Sequence, residues 1–317
     1  MNWKIDSLSD LKEFLLTKGT LYAPSGENPI QYKKIDADTQ INLSRNSDFS
    51  PREIWQPRTH YYLKSKNEDG LDMEYYPYNS EPRIVFGLRP CDMKGLDVFA
   101  QVFNQSGEYK TMLEDTIIIG YLCEAPGENC FCEAMGGLPD TTEKMDLVLY
   151  RSEGQYIISS LTDRGFEVLK KSPFTVLTEE ILPVHNGAGR KQVILDNIRR
   201  KLDDLNEEDW EKIAFPCINC RICTYVCPTC HCFTITDEVF KYEKGRAVVW
   251  DSCQSQYFTK EASGMNPRGS KTARVRNRML HKIKYHEKKY GEIMCSGCGR
   301  CISNCPVGLD LFEELSR

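Results

Sequence analysis

Two copies of one cysteine motif constrain this chain more than any other feature of its sequence. Both follow the pattern Cys-x2-Cys-x2-Cys-x3-Cys-Pro, at residues 217–228 and 295–306. Four thiolates at this spacing hold a 4Fe-4S cluster, and where two such runs occur the fourth cysteine of each binds the other cluster. We therefore predict two clusters, one held by Cys217, Cys220, Cys223 and Cys305, and the other by Cys295, Cys298, Cys301 and Cys227.

Zinc is the alternative metal, because Cys-x2-Cys pairs also bind zinc tetrahedrally. A zinc ion needs only four ligands. It therefore explains poorly a run of four cysteines followed by proline that occurs twice. A zinc-binding interaction module stays open as an alternative, which the visible absorbance of the protein would distinguish.

The whole set of cysteines indicates a reducing compartment. Fifteen thiols cannot all pair within one chain, and the amino terminus carries no charged, apolar and small-residue leader. We therefore expect reduced thiols in a cytoplasmic protein, where cysteines serve more often as metal ligands or redox groups than as disulfides. The longest apolar run is far shorter than the ~20 residues that span a bilayer, so we expect no direct membrane insertion.

The first half of the chain alternates strand-like and helix-like patterns. Apolar runs at 83–88 and 115–122 predict two strands, and apolar residues recur at helical spacing between them. A strand, helix, strand unit predicts a parallel pair, with Asp92 as the N-cap of the helix. Residues 146–150 and 155–159 predict a hairpin.

Four cysteines follow these two predicted strands. Cys91 comes just after the first strand, Cys123 just after the second, and Cys130 and Cys132 lie in the next loop. The carboxyl ends of parallel strands meet at one edge of a sheet, where α/β folds place their sites. We predict that these four thiols hold a third 4Fe-4S cluster. A zinc site, a redox thiol pair and buried structural cysteines remain the alternatives.

These patterns predict an α/β or α+β domain followed by an α-helical ferredoxin domain with two 4Fe-4S clusters. We place the mixed α/β domain with its four-cysteine site at 1–185, a linker and helix at 186–214, and the ferredoxin domain at 215–317. Sixty-seven residues separate Cys227 from Cys295. We predict helices in that segment at residues 236–242, 255–263 and 271–290.

Three cysteines remain outside these sets: Cys230, Cys232 and Cys253. Three thiols leave a cluster one ligand short. The alternatives are an additional site completed by another residue or by substrate, a redox-active pair, and packing around the ferredoxin domain.

A basic segment separates these cysteines from the second motif. Residues 266–289 contain nine Lys and Arg residues against Glu287 alone, within a chain of net charge −5. Such a segment suggests nucleic acid, but no aromatic residues alternate with the arginines and the segment lies between two cluster motifs. We expect no nucleic-acid partner. The cations can offset the negative charge of a cluster and raise its reduction potential, form a docking face for an acidic partner, or lie on a solvated helix face.

Two resemblances go beyond single motifs. The long separation of the two runs resembles the helical ferredoxin domain of succinate dehydrogenase and fumarate reductase iron-sulfur subunits, a likeness that stops near residue 215. A resemblance to the β subunits of soluble sulfhydrogenases and the A subunit of anaerobic sulfite reductase covers most of the chain. It is carried by Arg89-Pro-Cys-Asp92, Cys123, Asn129-Cys-Phe-Cys132, Met135-Gly136, Cys227-Pro-Thr-Cys-His-Cys-Phe233, Trp250-Asp-Ser-Cys253 and Leu280-His-Lys282.

The second resemblance implies an electron-transfer subunit of a cytoplasmic anaerobic oxidoreductase complex. Such a subunit relays single electrons between a flavin-binding NAD(P)H oxidoreductase subunit and a catalytic subunit such as a hydrogenase or reductase. The chain shows no flavin-binding, dinucleotide-binding or phosphate-loop pattern, so we expect no flavin or NAD(P) in it and no catalysis by the chain alone. The alternative is a sulfur- or disulfide-reducing enzyme that uses Cys230, Cys232 and Cys253.

Overall fold

The computed structural model describes residues 1–65, 72–76, 81–137, 144–178, 189–240 and 243–316. The strands in these ranges are β1 Asn2–Ile5, β2 Thr20–Ser25, β3 Gln31–Lys34, β4 Thr59–Ser65, β5 Met73–Tyr75, β6 Arg83–Leu88, β7 Thr116–Tyr121, β8 Leu147–Ser152, β9 Gln155–Ser160, β10 Thr175–Leu177, β11 Phe233–Phe240 and β12 Glu243–Trp250.

The helices are α1 Leu8–Leu16, α2 Arg52–Trp55, α3 Pro90–Val102, α4 Gly107–Glu114, α5 Asp163–Leu169, α6 Leu195–Asp204, α7 Glu207–Ala214, α8 Ile222–Tyr225, α9 Lys271–Leu280, α10 His286–Tyr290, α11 Arg300–Ser303 and α12 Leu311–Ser316. A π-helical turn, His281–Tyr285, joins α9 to α10. Among the described residues, no helix is both long enough and apolar enough to cross a bilayer.

An eight-stranded mixed sheet forms the first part of the molecule, in the order β10-β1-β9-β8-β7-β6-β2-β3. Strands β2, β6, β7 and β8 are parallel to their neighbours within that group. Every residue of β6 is buried, as expected for a parallel strand covered on both faces. The predicted parallel pair at 83–88 and 115–122 is confirmed as β6 and β7, and the predicted hairpin as β8 and β9.

Helices cover both faces of this sheet. On one face the core includes Leu11 and Leu15 of α1 and Leu169 of α5. On the other, α3 and α4 pack their apolar residues against β6, β7 and β8. The prediction that Asp92 caps α3 is wrong: the helix begins at Pro90 with Arg89 at the N-cap. Proline is preorganised for the first helical position, and Asp92 instead lies buried in the first turn.

The segment between the two motifs departs from the all-helical prediction. Residues 233–240 and 243–250 form an antiparallel hairpin, so the helix predicted at 236–242 is wrong over its described residues, and Lys241 and Tyr242 lie outside them. Apolar Phe233, Ile235 and Val239 alternate with polar residues, a period of two that indicates a strand. The hairpin pairs with β4 and β5 in a four-stranded sheet, β11-β12-β4-β5. Strand β12, which follows the predicted domain boundary at residue 215, is therefore hydrogen-bonded to β4, which precedes that boundary. The predicted boundary at 185 lies outside the described residues.

The helix predicted at 255–263 is also wrong, because this stretch forms a series of turns. Asn266 explains this: its amide donates to the Gln256 carbonyl and its side-chain oxygen accepts from the Thr259 hydroxyl. Such side-chain bonds compete with helical ones. The helix predicted at 271–290 is confirmed as α9, the π-helical turn and α10. Together with α6, α7 and α12, it encloses a third apolar core.

Candidate metal centres

The two motif loops have the same backbone conformation. Asn219 and Arg221 in the first loop have φ of 56° and 68°, and Gly297 and Gly299 at the equivalent positions of the second have 64° and 73°. In both loops the amide two residues after the first cysteine donates to its sulfur, at 3.5 Å from Asn219 N to Cys217 Sγ and from Gly297 N to Cys295 Sγ. The loops therefore curl around their first sulfur, as a loop that holds an anionic metal-thiolate group does.

The first predicted cluster set lies around one cavity. Its four cysteines line this space together with Ile218, Val307, Leu309 and Phe312: Cys217, Cys220, Cys223 and Cys305. Cys305 comes from the second motif, and Cys301 of that motif lines the same cavity. Cys220 is exposed, and so are Phe215 (81%) and Ile218 (61%). This set is therefore next to solvent.

The second predicted cluster set is more deeply buried. Burial, with a smaller contribution from the neighbouring Cys227, raises the pKa of Cys295 to about 11. Burial also raises the pKa of Cys298 and of Cys301, and Cys227 is again among the causes. Cys227 therefore lies close to the three cysteines of the other run. Because Cys301 also lines the cavity of the first set, the two sets adjoin.

The four-cysteine site is assembled where β6 and β7 end. Cys91, Cys123, Cys130 and Cys132 all line one cavity of about 550 Å³, a volume typical of cavities that hold a cofactor or ligand. Buried Arg89 donates to Cys123 Sγ at 3.2 Å, and Asn46 Nδ2 lies 3.9 Å from Cys91 Sγ. Four soft thiol donors with nitrogen donors around them suit an iron-sulfur cluster.

This four-cysteine site contacts the second motif directly. Phe131 N donates to Gly297 O at 2.8 Å, and Cys130 Sγ lies 3.8 Å from Cys298 O. A methyl group at Gly297 would lie 2.5 Å from the Cys132 Cα. Only glycine allows this approach. The three cysteine sets therefore follow one another, with the second cluster set in the middle.

Three cations of the basic segment are almost fully buried, each at most 4% exposed: Arg274, Arg278 and Lys282. Arg278 donates to Cys230 Sγ at 3.5 Å and to Cys223 O at 2.8 Å. Lys282 Nζ lies 3.2 Å from Cys227 Sγ and 2.9 Å from Thr229 Oγ1. Burial alone would lower the pKa of Lys282, but Cys227 and Cys230 raise it above its usual value. Buried cations need anionic neighbours, and the anionic groups here are cysteine sulfurs.

Other cations of the segment make ion pairs at the surface of the helical part. Arg276 pairs with Glu207 and Lys284 with Asp203. The segment is thus divided between a face turned to the cysteines and a face turned to acidic residues of α6 and α7. The spacing in the sequence indicates which residues share the buried face, since Arg274, Arg278 and Lys282 recur every fourth residue.

The three remaining cysteines lie between the two cluster sets. The thiol of Cys230 donates to Cys227, which lowers the pKa of Cys227. Cys232 and Cys253 are likewise hydrogen-bonded through their sulfurs, and this bond is the main cause that lowers the pKa of Cys253, to about 6. Among the described residues, no three Cys, His, Asp or Glu side chains converge on a single ion position. His231 and His281 pack edge to face nearby, and burial lowers the pKa of both.

Other functional candidates had no local signal in the sequence. Arg52 donates to the Cys232 carbonyl and Arg89 to Cys123 Sγ, and each contact joins distant parts of the chain. Arg300 pairs with Asp92 at 2.6 Å, and both side chains are at most 2% exposed. Long-range packing, rather than spacing, brings these residues together.

Comparisons with known proteins also concern the part of the chain that carries the two motifs. The 4Fe-4S dicluster domain family matches residues 216–309, a range that contains both motifs. The match covers this part of the chain alone, and residues 1–215 lie outside it.

The likeness extends beyond that domain. The chain is 26% identical to the sulfhydrogenase 2 subunit beta of Pyrococcus furiosus over 318 residues, which cover 94% of this chain and 91% of the relative. The chain thus resembles a sulfhydrogenase beta subunit along nearly its whole length. No solved structure matches it.

Proposed function

We propose that this protein is the electron relay of a cytoplasmic anaerobic oxidoreductase complex and is not catalytic alone. The observation that carries the proposal is that the three thiol sets follow one another. Cys301 of the second set also lines the cavity of the first set, and Cys130 of the third set contacts Cys298 of the second. Iron-sulfur clusters bound there would supply one-electron transfer, with potentials set by charge, hydrogen bonds and burial.

The residues that would hold these clusters are the predicted sets. Cys217, Cys220, Cys223 and Cys305 form one, Cys295, Cys298, Cys301 and Cys227 the second, and Cys91, Cys123, Cys130 and Cys132 the third. The chain's own contribution is to bury the middle set and to surround it with Arg278 and Lys282. A cation near an anionic cluster favours its reduced form and so raises its potential.

The two outer sets give the relay separate ends. At one end Cys220 is exposed beside Phe215 and Ile218, which supports a partner that docks through apolar contacts around that set. At the other end the loop carrying Cys130 and Cys132 contains exposed residues. We infer a flavin-binding NAD(P)H oxidoreductase subunit and a catalytic hydrogenase or reductase subunit as the two partners, as the likeness to a sulfhydrogenase subunit suggests.

Iron and sulfide quantification tests the proposal on anaerobically purified protein. We expect broad visible absorbance and about twelve irons per chain, falling to about eight in Cys130→Ser. The matched control Cys253→Ser removes a thiol outside the three sets and should keep the full iron content. Absence of visible absorbance would contradict the relay, and unchanged iron in Cys130→Ser would contradict the third cluster.

A second candidate function is reduction of a sulfur or disulfide substrate by the chain itself. The contact between Cys232 and Cys253 favours it, because paired thiols exchange with disulfides. Turnover of polysulfide or a disulfide by the isolated chain with an artificial electron donor would support this enzyme over the pure relay.

A further inference from the structure

The hairpin β11–β12 holds two of the remaining cysteines side by side at its open end. Phe233 pairs with Trp250 as its first register pair, and Asp251 N donates to Cys232 O at 3.0 Å, which extends the pairing by one residue. Cys232 therefore immediately precedes one strand and Cys253 follows the other. Because backbone hydrogen bonds fix this register, the proximity of the two cysteines is a property of the sheet.

This register places the two thiol groups within hydrogen-bonding reach of each other. The Cys232 thiol donates to Cys253, and the Cys253 sulfur also accepts from Gln254 Nε2 at 3.7 Å. Gln254 is held in turn by the Arg274 carbonyl at 2.9 Å. Ligands of a 4Fe-4S cluster bind different iron atoms at separate corners, whereas these two sulfurs form a pair. The arrangement is that of a dithiol.

The surroundings of the pair favour a reactive thiolate. Arg278 and Lys282 are both among the charges that stabilise the Cys253 thiolate. Arg52 is fully buried, donates to the Cys232 carbonyl at 3.1 Å and stacks on Trp250 at 4.0 Å. Its Nη1 has no hydrogen-bond partner among the described residues. Thiolates near such cations are the reactive ones. Cys253 is buried, whereas Cys232 is only partly buried, so Cys232 is the residue placed to meet a reagent first.

We propose that Cys232 and Cys253 form a reversible dithiol–disulfide couple that exchanges with a small disulfide. In the oxidising direction, Cys232 transfers its proton to the Cys253 thiolate as it attacks one sulfur of the disulfide R–S–S–R; a mixed disulfide forms and the first R–S⁻ leaves. Cys253 then gives this proton to the first R–S⁻ and attacks the Cys232 sulfur, so that the Cys232–Cys253 bond forms and the second R–S⁻ leaves. Two protein thiols are oxidised and one disulfide is reduced to two thiols.

The couple lies beside the proposed relay but does not depend on it. Cys230 is an electrostatic neighbour of Cys232 and is itself hydrogen-bonded to Cys227 of the second set. Cys253 raises the pKa of Cys223 of the first set, after the larger effect of burial. The pair is thus placed between the two cluster sets, while thiol exchange itself requires no iron.

Disulfide mapping tests the proposal on the full, anaerobically purified chain. The protein is equilibrated with mixtures of reduced and oxidised dithiothreitol, quenched in acid, alkylated and digested with trypsin, which cleaves between the two cysteines at Lys244 and Arg246. We expect a peptide cross-linked through Cys232 and Cys253, whose fraction rises with the proportion of oxidised dithiothreitol and falls when that proportion is reversed.

Two matched variants identify the cysteines that form the cross-link. Cys232→Ser should abolish the cross-link, and Cys230→Ser should retain it. Absence of the cross-link in the wild-type chain at every ratio, or its persistence in Cys232→Ser, would overturn the proposal. So would a loss of iron in Cys232→Ser or Cys253→Ser as large as that in Cys227→Ser, which would make these cysteines metal ligands. The iron content of the wild-type chain reports on the relay separately.

Discussion

At the scale of single residues, the position of charge distinguishes this chain from a simple cysteine scaffold. Arg274, Arg278 and Lys282 recur on one helical face and are buried against cysteine sulfurs and carbonyl oxygens. Burying a charge is costly unless an opposite charge is near. Arg278 and Lys282 therefore match the cysteine sulfurs beside them, while Arg274 is held by the carbonyls of Arg268 and Gly269.

Substitution of Lys282 tests this role. Lys282→Met removes the cation 3.2 Å from Cys227 Sγ and with it a charged hydrogen bond of about 1.5 to 3 kcal/mol. Reduction adds negative charge to a cluster, so we expect the midpoint potential of the second cluster to fall by about 60 to 130 mV for a one-electron couple. Redox titration followed by electron paramagnetic resonance measures it. The control is Lys288→Met on the same helix, where Lys288 is exposed; equal shifts in both variants would refute the local effect.

At the scale of elements, the two motif loops share one conformation but use different residues for it. The second loop has glycine at both left-handed positions, whereas the first has Asn219 and Arg221. The difference follows from packing. The second loop lies against residues 129–132 of the four-cysteine site, where a side chain at 297 would collide with Cys132. The glycines therefore join the third set to the second.

The Gly297→Ala variant tests that junction. The left-handed conformation costs alanine about 1 to 2 kcal/mol, and overpacking against Cys132 adds about 1 to 3 kcal/mol. We expect a lower urea midpoint and less iron per chain. Gly291→Ala is the matched control, since Gly291 has φ of 84° and open space around its Cα. It should incur only the conformational cost and keep its iron; an equal loss of iron in both variants would count against the junction.

At the scale of the whole molecule, the first and second halves are interlocked. Strand β4 pairs with β12, and Arg300 of α11 reaches Asp92 of α3 and the carbonyl of Ser47 at 2.7 Å. Gly95 of α3 packs so closely on Pro228 that a methyl group would lie 2.6 Å from its Cβ. The residue that follows Cys227 is thereby fixed against the α/β part.

Asp92→Asn tests the interlock. It leaves the buried Arg300 guanidinium without its counterion, and losing one partner of a buried pair costs about 3 to 5 kcal/mol. We expect a matching decrease in the free energy of unfolding, measured by urea denaturation under anaerobic conditions. Asp237→Asn, which breaks the exposed pair with Arg246, should leave the midpoint unchanged. A similar small effect in both variants would show that the ion pair does not hold the halves together.

Local patterns in the sequence were sufficient for part of this architecture. The strands β6 and β7, the hairpin β8–β9 and the helix at 271–290 follow from periodicity, because each is stabilised by its own pattern of apolar residues. The hairpin β11–β12 was missed. Its strands form backbone hydrogen bonds and bury residues such as Ala247 in a sheet with β4. Strand β4 lies more than a hundred residues away along the chain.

The sequence by itself determined the dicluster motifs, because the loop that surrounds a cluster is local and its cysteine spacing records it. The tertiary structure decided what the spacing could not. It placed the four-cysteine site against the second motif, brought Arg89 to Cys123, and paired Cys232 with Cys253 at the end of a hairpin. These arrangements depend on contacts between distant parts of the chain, which packing and sheet register establish and which leave no periodic trace in the sequence.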